Sequence, residues 1–122
     1  MLGILREYGL CYIASPYTKY QRGIDLAFAD VAAFTMSLHK LGIRAFSPIV
    51  YSHALATELG IDPLDHEFWM AFDKPFMDKA DALIVARFDG WQISQGVTAE
   101  IALFQKIGKP VWHVDPFNML FI

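Results

Sequence analysis

Leu10-Cys11-Tyr12-Ile13-Ala14-Ser15 is a short apolar run closed by Pro16, and its reading decides the fold. Proline cannot donate to a strand ladder, so the run reads as a buried strand that passes into a loop. Working outward, the apolar positions Ile24, Leu26, Phe28, Val31, Phe34, Leu38 and Leu41 recur near helical spacing, and Gly42 supplies a stop. The helix is expected over Arg22–Leu41. A second strand follows at Ile43–Phe46, closed by Ser47 and Pro48. Residues Ile49–Pro63 have mixed periodicity and turn signals of their own, and are read as a functional loop holding a helical turn.

Further along, a helix is expected over Asp65–Ala80, with Pro75 imposing a kink or break near Asp73. Ala82–Phe88 is a third strand, Asp89 and Gly90 open a loop through Gly96, and Val97–Ile107 is a helix stopped by Gly108. Val111–Val114 is the fourth strand. Strands alternating with helices at this spacing form βαβ units. The fold class is α/β: a three-layer Rossmann-like or flavodoxin-like domain with a short parallel sheet of four to five strands. In such sheets ligands bind at the carboxyl ends of the strands.

With 122 residues the chain makes one domain, 1–122, with a single shared core. Hydrophobic residues are 55% and charged residues 19%, which excludes disorder and predicts that some apolar surface is covered in a homodimer or higher homo-oligomer. The net charge of −3, without a Lys/Arg block, argues against nucleic acid as a partner. The lone Cys11 cannot pair internally and fits a reducing cytoplasm. No signal-peptide pattern opens the chain, and no apolar run reaches the roughly 18 residues of a membrane span, so neither export nor insertion is expected.

The phosphate-binding glycine loops are missing after the first strand, as are paired cysteines, a His-Glu-x-x-His helix and a Gly-x-Ser-x-Gly elbow. Neither a metal nor an organic cofactor is expected. What remains is a pair of carboxylates. Glu100 is placed in the first turn of the helix after strand three, preceded by Ser94, Gly96 and Thr98, where a carboxylate sits close to the strand ends. A carboxylate there can attack a sugar anomeric carbon while a second acid protonates the departing base, and Asp73 is the candidate for that acid. On position alone Glu100 serves equally well as a charge complementing the helix dipole, and Asp73 as an ordinary surface-helix aspartate.

Five segments taken in order carry a resemblance: Tyr12-Ile13-Ala14-Ser15-Pro16-Tyr17; Phe46-Ser47-Pro48; Asp73 ahead of Asp81; Gly90 through Glu100; and Gly108-Lys109-Pro110. Together they resemble the nucleoside 2-deoxyribosyltransferase-like superfamily, closest to a small branch with the Tyr-Ile-Ala-Ser-Pro-Tyr start. The resemblance implies a Rossmann-like fold and cleavage of an N-glycosidic bond, with transfer of the sugar to a base or to water. It implies Glu100 as the nucleophile, Asp73 as the acid, Asp81 as the Asp opening strand three and Tyr12 as the residue orienting the nucleophile. It further implies that Ser94, where transferases acting on free nucleosides have Asp, marks a nucleoside 5′-monophosphate, since a serine hydroxyl can donate to a phosphate that an aspartate repels. The same fold also supports a nucleotide-binding or sensing module without turnover.

Other residues complete the expected site. Ser15, Tyr17 and Arg22 on the loop after strand one are candidates for phosphate or base contacts, although Arg22 reads equally as a helix-start side chain. Gly96 belongs to the loop before the nucleophile. His53 is a candidate contact or a solvated loop histidine, and Trp91 is a candidate for stacking on the base. Trp69, also near the expected site, is a second candidate for stacking but reads rather as core or interface; His39, His66, Trp112 and His113 are given no role. Asn118 is similar in kind to an Asn that a neighbouring subunit contributes in the transferases, though its spacing from Glu100 is shorter and a C-terminal turn accounts for it as well. The apolar tail Phe117–Ile122 is expected to dock on the body or on a second subunit.

Overall fold

Side chains alternate along a strand, so a strand apolar at every position must be covered on both faces. The computed structural model describes residues 1–122. Its elements are β1 (Cys11–Ala14), α1 (Ile24–Lys40), β2 (Ala45–Phe46), α2 (Pro48–Leu59), α3 (His66–Lys79), β3 (Ala82–Ala86), α4 (Gln95–Lys106), β4 (Val111–Asp115) and β5 (Leu120–Phe121), with 3-10 turns at Leu2–Glu7 and Trp91–Ile93. Cys11 and Ile13 of β1 and Ala82, Ile84 and Ala86 of β3 pack with Val31, Phe34 and Leu38 of α1. Tyr12 and Ala14, with Leu83 and Val85, face the other way, against Met77 of α3 and Val97 and Phe104 of α4. The result is a three-layer α/β domain, and the alternation sends Tyr12 toward α4.

The strand order is β2-β1-β3-β4-β5. The first four strands are parallel, with Tyr12 opposite Phe46 on one side and Leu83 on the other. β5 is antiparallel to β4, so the sheet is mixed rather than wholly parallel. A short reversal permits only antiparallel pairing, since a parallel return needs a long crossover. Met119 takes the left-handed conformation at φ 54° in that reversal. The C-terminal tail thus docks on the body of its own chain.

Two expectations are corrected. The stretch read as a loop is mostly α2: Ser47 caps it by accepting from the Val50 amide at 3.2 Å, Pro48 fills the first turn, and Gly60 ends it in the left-handed region. Its apolar residues are spread around the helix, which hid the periodicity. α3 is not broken at Asp73 or Pro75, because Pro75 removes only one helical hydrogen bond while Trp69 and Met77 anchor the turns on either side. No helix is long and apolar enough to cross a membrane.

Candidate active site

The chain leaves β1 toward β2 on one side and returns to β3 on the other, so a crevice opens at the carboxyl end of β1. A cavity of about 250 Å³ lies there, at the small end of ligand pockets. Ile13 and Ser15 line it from the end of β1, Tyr17, Thr18 and Lys19 from the following loop, and Pro48, Ile49 and Ser52 from α2. Asp73 enters from α3, and Ser94, Gly96 and Glu100 from α4 and its cap.

α4 begins at Gln95, two residues earlier than expected, which puts Glu100 in the second turn rather than the first. The helix dipole acts mainly on the first turn, so complementing it is a weak account of this glutamate. Glu100 is 9% exposed. Burial raises its carboxyl to about 8; the Tyr12 hydroxyl pulls the value down and the Asp73 charge pushes it up. Burial likewise raises Asp73 to about 7. Tyr12 is held far above the ordinary tyrosine range by burial first, and then by the charges of Glu100 and Asp73. Its hydroxyl approaches Glu100 closely enough to lower the acid's pKa, yet lies outside the geometry of a formed hydrogen bond.

Buried polar atoms are almost always satisfied. Three side-chain atoms in the chain are buried without a partner: Tyr12 Oη, Ser15 Oγ and Asp73 Oδ1. Ser15 and Asp73 line the cavity, and Tyr12 stands against Glu100 beside it. Unspent hydrogen-bonding capacity is therefore gathered at one place. Ser94 caps α4 by accepting from the Val97 amide at 3.2 Å, which leaves its hydroxyl proton free for a ligand at the positive end of the helix. Gly96 lines the same end, and a Cβ there meets nothing closer than Ser94 Oγ at 3.9 Å, so close backbone approach does not explain it.

The other expected residues divide. Tyr17 lines the cavity, whereas His53 is buried behind it, bonded to the Tyr17 hydroxyl rather than solvated in a loop. Arg22 lies outside the cavity lining and reaches Asp30 at 3.4 Å, the helix-start role. Trp91 lies under the Arg87 guanidinium at 4.4 Å and against His113, away from the lining. Asn118 sits in the turn before β5, its amide donating to Asp115 Oδ2 at 2.8 Å, and takes no part in the cavity of its own chain. Asp81 accepts from the Leu10 amide at 3.1 Å, a structural role at the start of β1. Trp69, the lesser of the two stacking candidates, lines the cavity, as do Lys19, Ser52 and His66, for which the sequence suggests no role. Trp69 also donates from its indole to the Asp62 carbonyl at 2.9 Å, which holds the loop ahead of α3. Helical spacing gave Trp69 as core, and nothing local marked the other three.

No group of three or more His, Cys, Asp or Glu side chains is arranged to hold a metal ion. Fold and site define an α/β domain of flavodoxin-like strand order whose cavity at the switch point pairs a buried glutamate with a half-buried aspartate from a separate helix. The chain belongs to the family described as domain of unknown function DUF1937, which matches residues 9–115 and so takes in every residue of the cavity. No curated protein matches the chain.

Proposed function

We propose that the protein cleaves the N-glycosidic bond of a nucleoside 5′-monophosphate or nucleoside, passing the sugar, a 2-deoxyribosyl group in the transfer reaction, to water or to a second base. Glu100 attacks the anomeric carbon as the bond to the base breaks, and Asp73 gives its proton to the departing base nitrogen. Tyr12 orients Glu100. Water or an acceptor base then displaces Glu100 from the sugar, and a proton returns to Asp73. The chemistry calls on no metal or organic cofactor.

The observation that carries this reading is the pair of acids in one cavity, both raised by burial toward neutral pH. An acid and a nucleophile need one proton between them. Burial raises both carboxyls, to about 8 for Glu100 and about 7 for Asp73, so the two share a proton near neutral pH. The productive form carries it on Asp73, and positive charge developing on the sugar beside Glu100 favours that form. The Ser94 hydroxyl at the start of α4 supports a 5′-phosphate as the ligand's anionic end, with Lys19 also in the lining.

The reading includes a cytoplasmic homo-oligomer, a dimer or larger. Tyr51, Leu59, Leu64, Phe68 and Phe72 are all exposed large apolar side chains of α2, α3 and the loop between them, an arrangement that favours a covering subunit. Chromatography of each ribo- and deoxyribonucleoside and its 5′-monophosphate after incubation, with and without an acceptor base, tests the function. Free base or an exchanged nucleoside supports it. No product from any of them, with folded protein, contradicts it.

A further inference from the structure

Behind the cavity wall three side chains form one chain of contacts. Tyr17 lines the cavity, and its hydroxyl lies 2.5 Å from Nδ1 of His53 on α2. Nε2 of His53 lies 3.2 Å from Asp25 Oδ1 in the first turn of α1. The imidazole is 7% exposed; Phe28 stacks on it at 4.6 Å between centroids, and Tyr17 meets it edge-on at 5.7 Å. His53 is not part of the cavity lining, so its influence on a ligand passes through Tyr17.

The chemistry of the donors and acceptors fixes the direction of this chain. A carboxylate only accepts, so Asp25 places a proton on Nε2. On a neutral imidazole Nδ1 is then an acceptor, and the partner that can donate to it is the Tyr17 hydroxyl. Tyr17 keeps that proton: burial, then Asp25 and Asp62, push it up to about 12. With its proton turned to His53, the Tyr17 oxygen offers lone pairs rather than a donor to the cavity. The Asp25 side chain is 93% exposed, so its pairing adds little energy and acts by selecting the tautomer. The buried His53–Tyr17 bond holds the geometry.

We propose that His53 is a positioning residue that fixes Tyr17 as a hydrogen-bond acceptor for a donor on the ligand, either a sugar hydroxyl or an exocyclic amine of the base. The ligand half rests on the glycosidic reading of the cavity, and the positioning half does not.

Long-range proton–nitrogen correlation spectra of the 15N-labelled protein, which distinguish both neutral tautomers and the imidazolium, test the positioning half without any substrate. His53 is expected as the Nε2–H tautomer, with its Nδ1 resonance shifted by Tyr17→Phe. A Nδ1–H tautomer, or a resonance indifferent to Tyr17→Phe, overturns the proposal. The ligand half is read with the nucleoside or nucleotide that wild type cleaves. Tyr17→Phe and His53→Leu each raise KM about five- to tenfold with kcat little changed, and the double variant loses no more than either. His53→Asn, whose amide oxygen replaces Nδ1 as acceptor, recovers most of the loss. Additive losses, or an unchanged KM in a folded His53→Leu protein, overturn it. Substrate analogues lacking a sugar hydroxyl or the exocyclic amine identify the donor, because the penalty of Tyr17→Phe vanishes for the analogue without it. A wild type that cleaves nothing overturns the ligand half along with the glycosidic reading, and the spectra still decide the positioning half.

Discussion

Asp73 on α3 and Glu100 on α4 enter one cavity from two helices, and burial lifts both acids into the neutral range, to about 7 and about 8. The pair sets the pH at which the proposed chemistry runs. Catalysis needs Glu100 ionised and Asp73 protonated, so kcat/KM falls on the acid side as Glu100 takes up its proton and on the alkaline side as Asp73 loses its own. A bell centred between about 7 and about 8 is expected from initial rates across pH. Asp73→Asn lowers the rate and abolishes the alkaline limb.

The same shifts bear on stability. A folded pKa raised above the unfolded value means that the native state holds more protons, so stability is fully present below the ordinary carboxyl range and is lost as pH rises through about 7 and about 8. Glu100→Gln removes the buried charge that forms at high pH. Denaturant unfolding should show it more stable than wild type at about pH 9, by on the order of a few kcal/mol, with the advantage shrinking toward about pH 5.

Tyr12 lowers the pKa of Glu100, and its hydroxyl is otherwise unpartnered and buried. Tyr12→Phe should therefore move the centre of the rate profile upward in pH, lower kcat/KM at neutral pH, and leave the melting temperature equal to or above that of wild type. A lower melting temperature with an unmoved centre of the profile argues for a purely structural tyrosine.

Ser94→Asp keeps a good helix cap and adds a negative charge at the cavity. It should shift preference from nucleoside 5′-monophosphates toward free nucleosides by about tenfold or more in kcat/KM, with stability within about 0.5 kcal/mol of wild type. Competition between the two substrate forms in one reaction measures the ratio.

Much of this arrangement is legible in the chain itself. The unbroken apolar runs of β1 and β3 and the glycine stops at Gly42 and Gly108, which sit at φ 80° and 74°, mark the sheet and its flanking helices. Alternation puts Tyr12 on the face of α4. α2 escaped because Ser47 and Pro48 read as the end of a strand, although a serine followed by proline is also the signature of a helix start. The start of α4 reads two residues late in the sequence because Ser94, the actual cap, lies ahead of a glycine that resembles loop. Lys19, Ser52 and His66 reach the cavity only when α2 and α3 fold over the end of β1, and their roles depend on contacts that no local pattern encodes. His53 shows the reverse: its residue type suggested a ligand contact, while packing against Phe28 and Tyr17 removes it to the layer behind.

The most direct test compares base release by wild type and by Glu100→Gln on the best substrate, with both proteins shown to be folded and to bind it. The account predicts that Glu100→Gln retains binding and loses turnover by about a thousandfold or more. Base release by Glu100→Gln within a few fold of wild type would contradict it, and would remove Glu100 from the centre of the chemistry.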